Sequence, residues 1–357
     1  MVAGEQRCRL CGGTQRYLSA SLGLCVACAR SGSRESRAWI RKVHAASRRE
    51  FDLPGKPPCT HGGLACVLCS NGCVLDEGQV GFCGLRTVRD GTLVHHAGTA
   101  ARGLLQWYRD PLPTNCVAGW VCEGGRRAGD HNLAVFYESC SANCLFCQNW
   151  HFRRISPRSH DPTSADELAS GVNEHTFCIC FFGGDPSTQM PHALAVSRRL
   201  ARRGTRICWE TNGMMHPALL DAALRYSLRT GGCIKFDLKA FNEDLHIALT
   251  GVSNRRTLEN FERAAGRAGE RHNPPLVVAS TLLVPGYVEP DEVQAIARFI
   301  ASIDPQIPYA LLGFAPQWYM HDLPCTSRQH AMEAEEAARE AGLVDVRIGN
   351  RHLLDLP

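Results

Sequence analysis

The sequence predicts an α/β protein: a partial (β/α)6 TIM-like barrel preceded by small cysteine-rich metal-binding modules. Three observations carry this. Six short apolar runs recur from residue 133 onward, each followed by a stretch with helical spacing. The runs are apolar throughout rather than alternating, as strands covered by helices on both faces must be. Two sets of closely spaced cysteines lie ahead of the first run, where no comparable βα rhythm is found.

Size and composition set the limits. A chain of 357 residues accommodates one barrel-sized domain and something smaller. An apolar fraction of 44% with 21% charged residues fits a globular protein and argues against extended disorder. No run of about 18 apolar residues occurs, and the start MVAGEQRCRL lacks the basic-then-apolar order of a secretory signal; a cytoplasmic protein with no membrane partner is expected. In that reducing setting nineteen cysteines read as metal ligands rather than disulfides. Residues 1–58 carry eleven Lys/Arg against four Asp/Glu, which admits nucleic acid as a partner but fits a solvated basic face better. The expected units are 1–58, a basic zinc-ribbon-like module with its linker; 59–130, a second cysteine-rich region; and 131–357, the barrel.

In chain order, the first element is a C-x2-C-x13-C-x2-C pattern of Cys8, Cys11, Cys25 and Cys28. Two such knuckles bring four thiolates to one tetrahedral point, and zinc is the expected ion. SRESRAWIRKVHAASRRE then has helical composition, and LPGKPP at 53–58 reads as a linker. Cys66, Cys69, Cys73 and Cys83 form a second closed set, C-x2-C-x3-C-x9-C, suited to zinc or to an auxiliary iron–sulfur cluster. Cys59 and His61 lie nearby and read as bystanders.

The barrel runs are LAVFYES (133–139), FCICFF (177–182), RICWE (206–210), CIKFDL (233–238), LVVASTLLV (276–284) and YALLGF (309–314). Between them, Ser164 and Glu167 form a capping box, Gly204 closes the helix after Pro191, and Val293, Ile296, Ala297 and Ile300 mark one apolar helix face. Chemistry in such a barrel gathers just beyond the C-terminal ends of the strands. Beyond the first run stands CSANCLFCQNW, with Cys140, Cys144 and Cys147 spaced C-x3-C-x2-C and no fourth cysteine near. Three thiolates suit a four-iron cluster that keeps one iron open to a small molecule. They also suit a zinc site completed by His131 or His151.

With Phe146 ahead of the last cysteine, this motif resembles the signature of the radical S-adenosylmethionine superfamily. The resemblance implies that Cys140, Cys144 and Cys147 hold a [4Fe-4S] cluster whose open iron takes the amino and carboxylate groups of S-adenosylmethionine. GGDPSTQ after the second run resembles the family's Gly-Gly-Glu-Pro element, so Gly183, Gly184, Asp185 and Pro186 are expected at the methionine amino group, with Asp in place of the usual Glu. Glu210 and Asn212 of WETNG would face the ribose or sulfonium end. Asp237 and Lys239 of KFDLKAF would address the cosubstrate, Lys239 as a point charge on its carboxylate. VPG after the fifth run is like the corresponding turn of activating enzymes, although Ser280 and Thr281 stand where those carry Arg. Phe314 and Gln317 are candidates to flank adenine.

Within the superfamily the sequence is most similar to the radical enzyme of the AmmeMemoRadiSam system and to pyruvate formate-lyase activating enzyme-like proteins. The likeness extends to the 66–83 cysteines, F-x-P-x-x-x-M-x-D-x-P at 314–324 and VRIGN at 346–350. It departs from that family in its GGDPST loop and in the knuckles at 8–28. The implied chemistry is reductive cleavage of S-adenosylmethionine to a 5′-deoxyadenosyl radical that takes hydrogen from a substrate, a protein glycine being one class. A flavodoxin or ferredoxin would supply the electron. The competing reading is a zinc-containing nucleic-acid-binding protein in which the basic N-terminal module is the functional part. Its aromatic residues are sparse there, Tyr17, Trp39 and Phe51.

Overall fold

The computed structural model describes residues 6–114, 116–155 and 160–355. Its centre is one eight-stranded sheet of β1 (Leu105–Pro111), β2 (His131–Tyr137), β3 (Thr176–Phe182), β4 (Arg206–Thr211), β5 (Ile234–Asp237), β6 (Val277–Leu283), β7 (Tyr309–Gly313) and β8 (Val346–Gly349). Neighbours in the sheet are neighbours in sequence. Every pair from β2 to β8 is parallel, whereas β1 pairs antiparallel with β2.

All six expected runs are strands. The sequence reading missed β1 and did not count β8. In β1, LQWYRDP is mixed polar and apolar and largely exposed, as an edge strand can be and a strand covered on both sides is not. The main sheet therefore begins before residue 131.

The helices are α1 (Val26–Arg30), α2 (Arg34–Arg49), α3 (Ala165–Ser170), α4 (Met190–Ala201), α5 (Pro217–Thr230), α6 (Glu243–Thr250), α7 (Arg255–Ala265), α8 (Pro290–Ile303) and α9 (Arg328–Glu340). Local chemistry explains their ends. Ser164 and Glu167 form the expected capping box at the start of α3, and Gly231 and Gly251 close α5 and α6 in the left-handed conformation. Gly204 lies two residues beyond the C-cap of α4, at φ +77°. Val293, Ile296, Ala297 and Ile300 are the buried face of α8, as their spacing requires. Among the described residues no helix is long and apolar enough to cross a membrane.

The N-terminal segment is part of the same core. Leu18, Leu22, Leu24, Ile40 and Val43 are buried in one cluster with the barrel. Tyr287 ties the two together, accepting from Ser19 N at 3.0 Å and donating to Leu24 O at 3.0 Å. Arg30 pairs with Asp291 at 2.5 Å and Glu292 at 2.8 Å. His44 on α2 packs against Gly251, where any Cβ would lie 2.9 Å from its ring, and its Nε2 contacts Ala248 O at 3.0 Å.

A second device closes the barrel's open side. The chain leaving β1 crosses beneath the bore, and Trp120 Nε1 donates to Asp345, the residue before β8, at 2.9 Å. Ala118, Val121 and Cys122 pack there on Phe177, Cys178 and Val278.

Burial pushes the imidazoles of His44, His192 and His246 down to about 4 from 6.5. Unfolded histidines take protons below about 6.5, so between about 6.5 and 4 the unfolded chain binds more protons. Stability is then lost as pH falls through that window, at about 1.4 kcal/mol per unit for each fully shifted group. The urea midpoint is expected to drop between pH 7 and pH 5. His192→Gln, which keeps a partner for the Tyr137 hydroxyl, is expected to reduce that drop.

Candidate active site

The chain leaving β2 has no regular structure between 138 and 149, so its shape is imposed by neighbours. Asn143 N donates to Thr250 O at 2.8 Å and Leu145 N to Leu249 O at 2.9 Å, at the end of α6. From α2, His44 Nδ1 and Ser47 Oγ receive the Asn143 amide at 2.9 and 2.8 Å. Asn71, in the second cysteine region, donates to Ser141 O at 2.8 Å. The end of α6, α2 and the second cysteine region thus fix the three-cysteine loop together.

Cys140, Cys144 and Cys147 line a cavity of about 260 Å³ at the C-terminal ends of the strands. The same cavity is lined by Gly183, Gly184, Asp185, Glu210, Asn212, Asp237 and Lys239. Pro186 does not line it, and starts the short turn Pro186–Thr188 behind it. Phe314 is fully buried and neither it nor Gln317 lines the cavity, so the adenine-flanking expectation for this pair is not met. Phe314 is a core residue whose backbone N–H is held by Thr326 Oγ1.

The two glycines are required by contact. Both have positive φ, +61° and +49°; a Cβ on Gly183 would lie 2.0 Å from the Phe136 ring and one on Gly184 would lie 2.0 Å from Tyr137 O. Asp185 is used twice over. Its carboxylate accepts from Ser187 N at 2.7 Å, Asn212 N at 2.6 Å and Thr211 Oγ1 at 3.1 Å, clamping the loop after β3 to the end of β4. Burial pushes its pKa up against those hydrogen bonds. Asn212 Nδ2 donates to Ser141 Oγ at 2.9 Å and approaches Cys140 Sγ at 3.7 Å, a contact of the kind that tunes a metal-bound sulfur.

Charges line the rest. Lys239 pairs with Asp237 Oδ2 and lies 5.7 Å from the Phe146 ring centre. Against burial, which lowers its pKa, Asp237 and Cys144 hold Lys239 charged. Asp237 Oδ1 is buried without a hydrogen-bond partner. Lys235, 2% exposed, pairs with Glu210 at 2.6 Å, so Glu210 answers a buried ammonium as well as facing the cavity. Arg153 escaped the sequence reading. It lines the cavity, its guanidinium lies over the Trp318 ring at 4.2 Å, and its buried Nε and Nη1 have no hydrogen-bond partner. Its only sequence signal was a basic residue six positions after the last cysteine.

The three cysteine sets differ in spacing. Cys8, Cys11, Cys25 and Cys28 have sulfurs all within 4.8 Å, and no other such group is found among the described residues. Cys11 and Cys25 are 3.8 Å apart, the separation given by metal–sulfur bonds of about 2.3 Å at a tetrahedral angle. That set fits a single ion. The 66–83 and 140–147 sets are not gathered as tightly. Neither histidine weighed for the 140–147 loop completes a zinc site: His131 sits at the opposite end of β2, bonded to Thr176, and exposed His151 stacks on Trp150 at 4.1 Å. Cys59 and His61 are exposed.

A family model, that of the Radical SAM superfamily, matches residues 134–300 of this chain. Its curated relatives are activating enzymes. It is 27% identical over 210 residues to the isethionate sulfite-lyase activating enzyme of Oleidesulfovibrio alaskensis, covering 56% of this chain and 65% of the relative. The enzyme of that name from Desulfovibrio desulfuricans is 36% identical over 135 residues, covering 37% and 40%. The pyruvate formate-lyase-activating enzyme of Staphylococcus aureus is 27% identical over 194 residues, covering 50% and 74%. The chain thus spans under two thirds of the length of the first two.

Burial, opposed by Lys239, pushes Cys144 up to about 11, and burial together with the Asp185 charge pushes Cys140 well up from its ordinary value. A metal at this loop must displace those protons. With a fixed iron-to-chelator ratio, iron bound at the 140–147 loop is expected to rise from pH 7 to pH 9; a pH-independent content would contradict the protonated thiols.

Proposed function

We propose that the chain is a radical S-adenosylmethionine enzyme of the activating type, acting on a glycine of a partner protein and reduced by a flavodoxin or ferredoxin. The observation that carries this reading is the single cavity at the strand ends. Three cysteine thiols, a glycine pair open to close approach, and unpaired groups of both signs all line it.

Cys140, Cys144 and Cys147 would hold a [4Fe-4S] cluster. Bound together, cluster and cosubstrate supply one-electron cleavage of S-adenosylmethionine to methionine and a 5′-deoxyadenosyl radical. The residues present suit a zwitterionic amino-acid end: the unpaired Asp237 Oδ1 for an ammonium, and Arg153 with Lys239 for a carboxylate. Gly183 and Gly184 let the backbone approach it without a side chain between. Among the described residues, Asn212 Nδ2 and Ala142 N, the latter at 3.3 Å, reach Cys140 Sγ, and hydrogen bonds to such sulfurs tune a cluster's potential. Phe146, Phe182, Leu282, Leu312 and Val117 form apolar walls that exclude water from a reactive intermediate. The second cysteine set, zinc or iron–sulfur, rests directly on this loop through Asn71.

The nucleic-acid reading has less to stand on. Trp39 spends its indole N–H on Leu22 O, and Phe51 packs with Trp150 and Trp318, which leaves few free stacking surfaces.

Anaerobic, cluster-reconstituted protein with a strong reductant is expected to form 5′-deoxyadenosine. Replacing Cys140, Cys144 and Cys147 by Ala together should abolish it, and Gly184→Ala should reduce it at least about tenfold, a barrier increase of about 1.4 kcal/mol. Equal 5′-deoxyadenosine from the triple variant would sink the assignment.

A further inference from the structure

Below the active-site cavity, a second cavity of about 250 Å³ occupies the bore, and the two share Phe182, Glu210 and Lys235. Barrel bores are ordinarily filled by layers of branched aliphatic side chains. In this one the inward positions of three adjacent strands are thiols: Cys178 and Cys180 on β3, Cys208 on β4, and Cys233 at the start of β5. Cys116 and Cys122 join them from the segment crossing beneath. None of these six belongs to the three cysteine motifs.

Sheet register explains the gathering. Cys180 pairs with Cys208, and because Trp209 pairs with Ile234, Cys208 stands beside Cys233. Cys178, Cys208 and Cys233 all line the cavity, and the strand carrying Cys208 lies between the other two strands. Cys122 Sγ faces the same cavity and accepts from Gly124 N at 3.5 Å. Lys235 Nζ lies 3.4 Å from Cys116 Sγ and 3.3 Å from Cys180 Sγ, which places a buried positive charge against the thiol set.

We propose that this chamber is a further metal site, in which Cys178, Cys208 and Cys233 bind one thiophilic closed-shell ion, zinc(II) or copper(I), with Cys122 in reach as a fourth ligand. An all-sulfur set selects such ions over calcium, magnesium or manganese. Metal–sulfur bonds of about 2.3 Å require Cys178 and Cys233 to swing toward each other about Cys208. Lys235 offsets the negative charge of the thiolates. The ion would also staple the crossing segment to the barrel, because Cys122 lies on one and the strand ligands on the other. The site rests on the thiols of the bore alone, and stands whether or not the active-site loop carries an iron–sulfur cluster.

Cadmium(II) is the probe. Reduced full-length protein, with its other cysteine sets metal-loaded, is titrated anaerobically, and uptake is read from the thiolate-to-cadmium ultraviolet band and from metal analysis. Wild type and Cys325→Ala, a buried cysteine outside the cavity, are expected to bind one equivalent more than Cys208→Ala or Cys178→Ala. Matched titrations with zinc(II) and copper(I) then identify the preferred ion. Equal uptake by wild type and Cys208→Ala would overturn the proposal and leave the thiols as packing. Should Cys208→Ala fail to fold, Cys178→Ala decides alone, and wild-type uptake no greater than the other cysteine sets account for would also overturn it.

Discussion

The structure depends on holding a loop that has no hydrogen-bond ladder of its own. Between β2 and the turn at Asn149, backbone groups find partners at the end of α6, while side chains on α2, in the second cysteine region and on the loop after β4 supply the rest. An unpaired polar group in such a buried place costs about 1–3 kcal/mol. The loop is therefore secure only when all four neighbours are present, which is a physical reason for the N-terminal segment to share the barrel's core instead of hanging from it as a separate bead.

The barrel was legible in the sequence because a strand covered on both faces must be apolar along its whole length, and six such runs stood out. The edges were not, because an edge strand obeys a weaker rule. LQWYRDP reads equally well as an irregular stretch until its antiparallel partner is known. The site was legible where spacing carried it, in the cysteine triplet, the glycine pair and the polar residues ending β4 and β5. It was not legible where a side chain reaches the cavity from a short 3-10 turn, as Arg153 does, or where a polar residue turns out to be occupied within the fold. Asp185 is the clearest such case: the sequence suggests a ligand contact, whereas its oxygens also hold two loops together.

Charge burial follows one pattern through the barrel. Lys235 and Lys239 project from the same strand and its continuation, and each meets a carboxylate, Glu210 or Asp237. Isolated charges so deep would cost several kcal/mol each. Pairing keeps the bore nearly neutral while leaving Asp237 with an oxygen to spare and Lys235 facing thiols. Both lysines thus line the upper cavity, and Lys235 reaches the lower one as well.

Tyr287 gives the fold a temporal dimension. Its hydroxyl joins Ser19 and Leu24, residues separated from it by more than 260 positions, and Asp322 reaches back still further to Ala20 N at 2.6 Å. On a ribosome, synthesis at about 5–20 residues per second would leave the N-terminal knuckles exposed for tens of seconds before their binding surface exists. Metal capture by those four cysteines needs only local chain and has that interval to itself. The knuckle segment would then be among the last to dock, arriving as a preformed piece that packs on the barrel through Tyr287 once the barrel is complete.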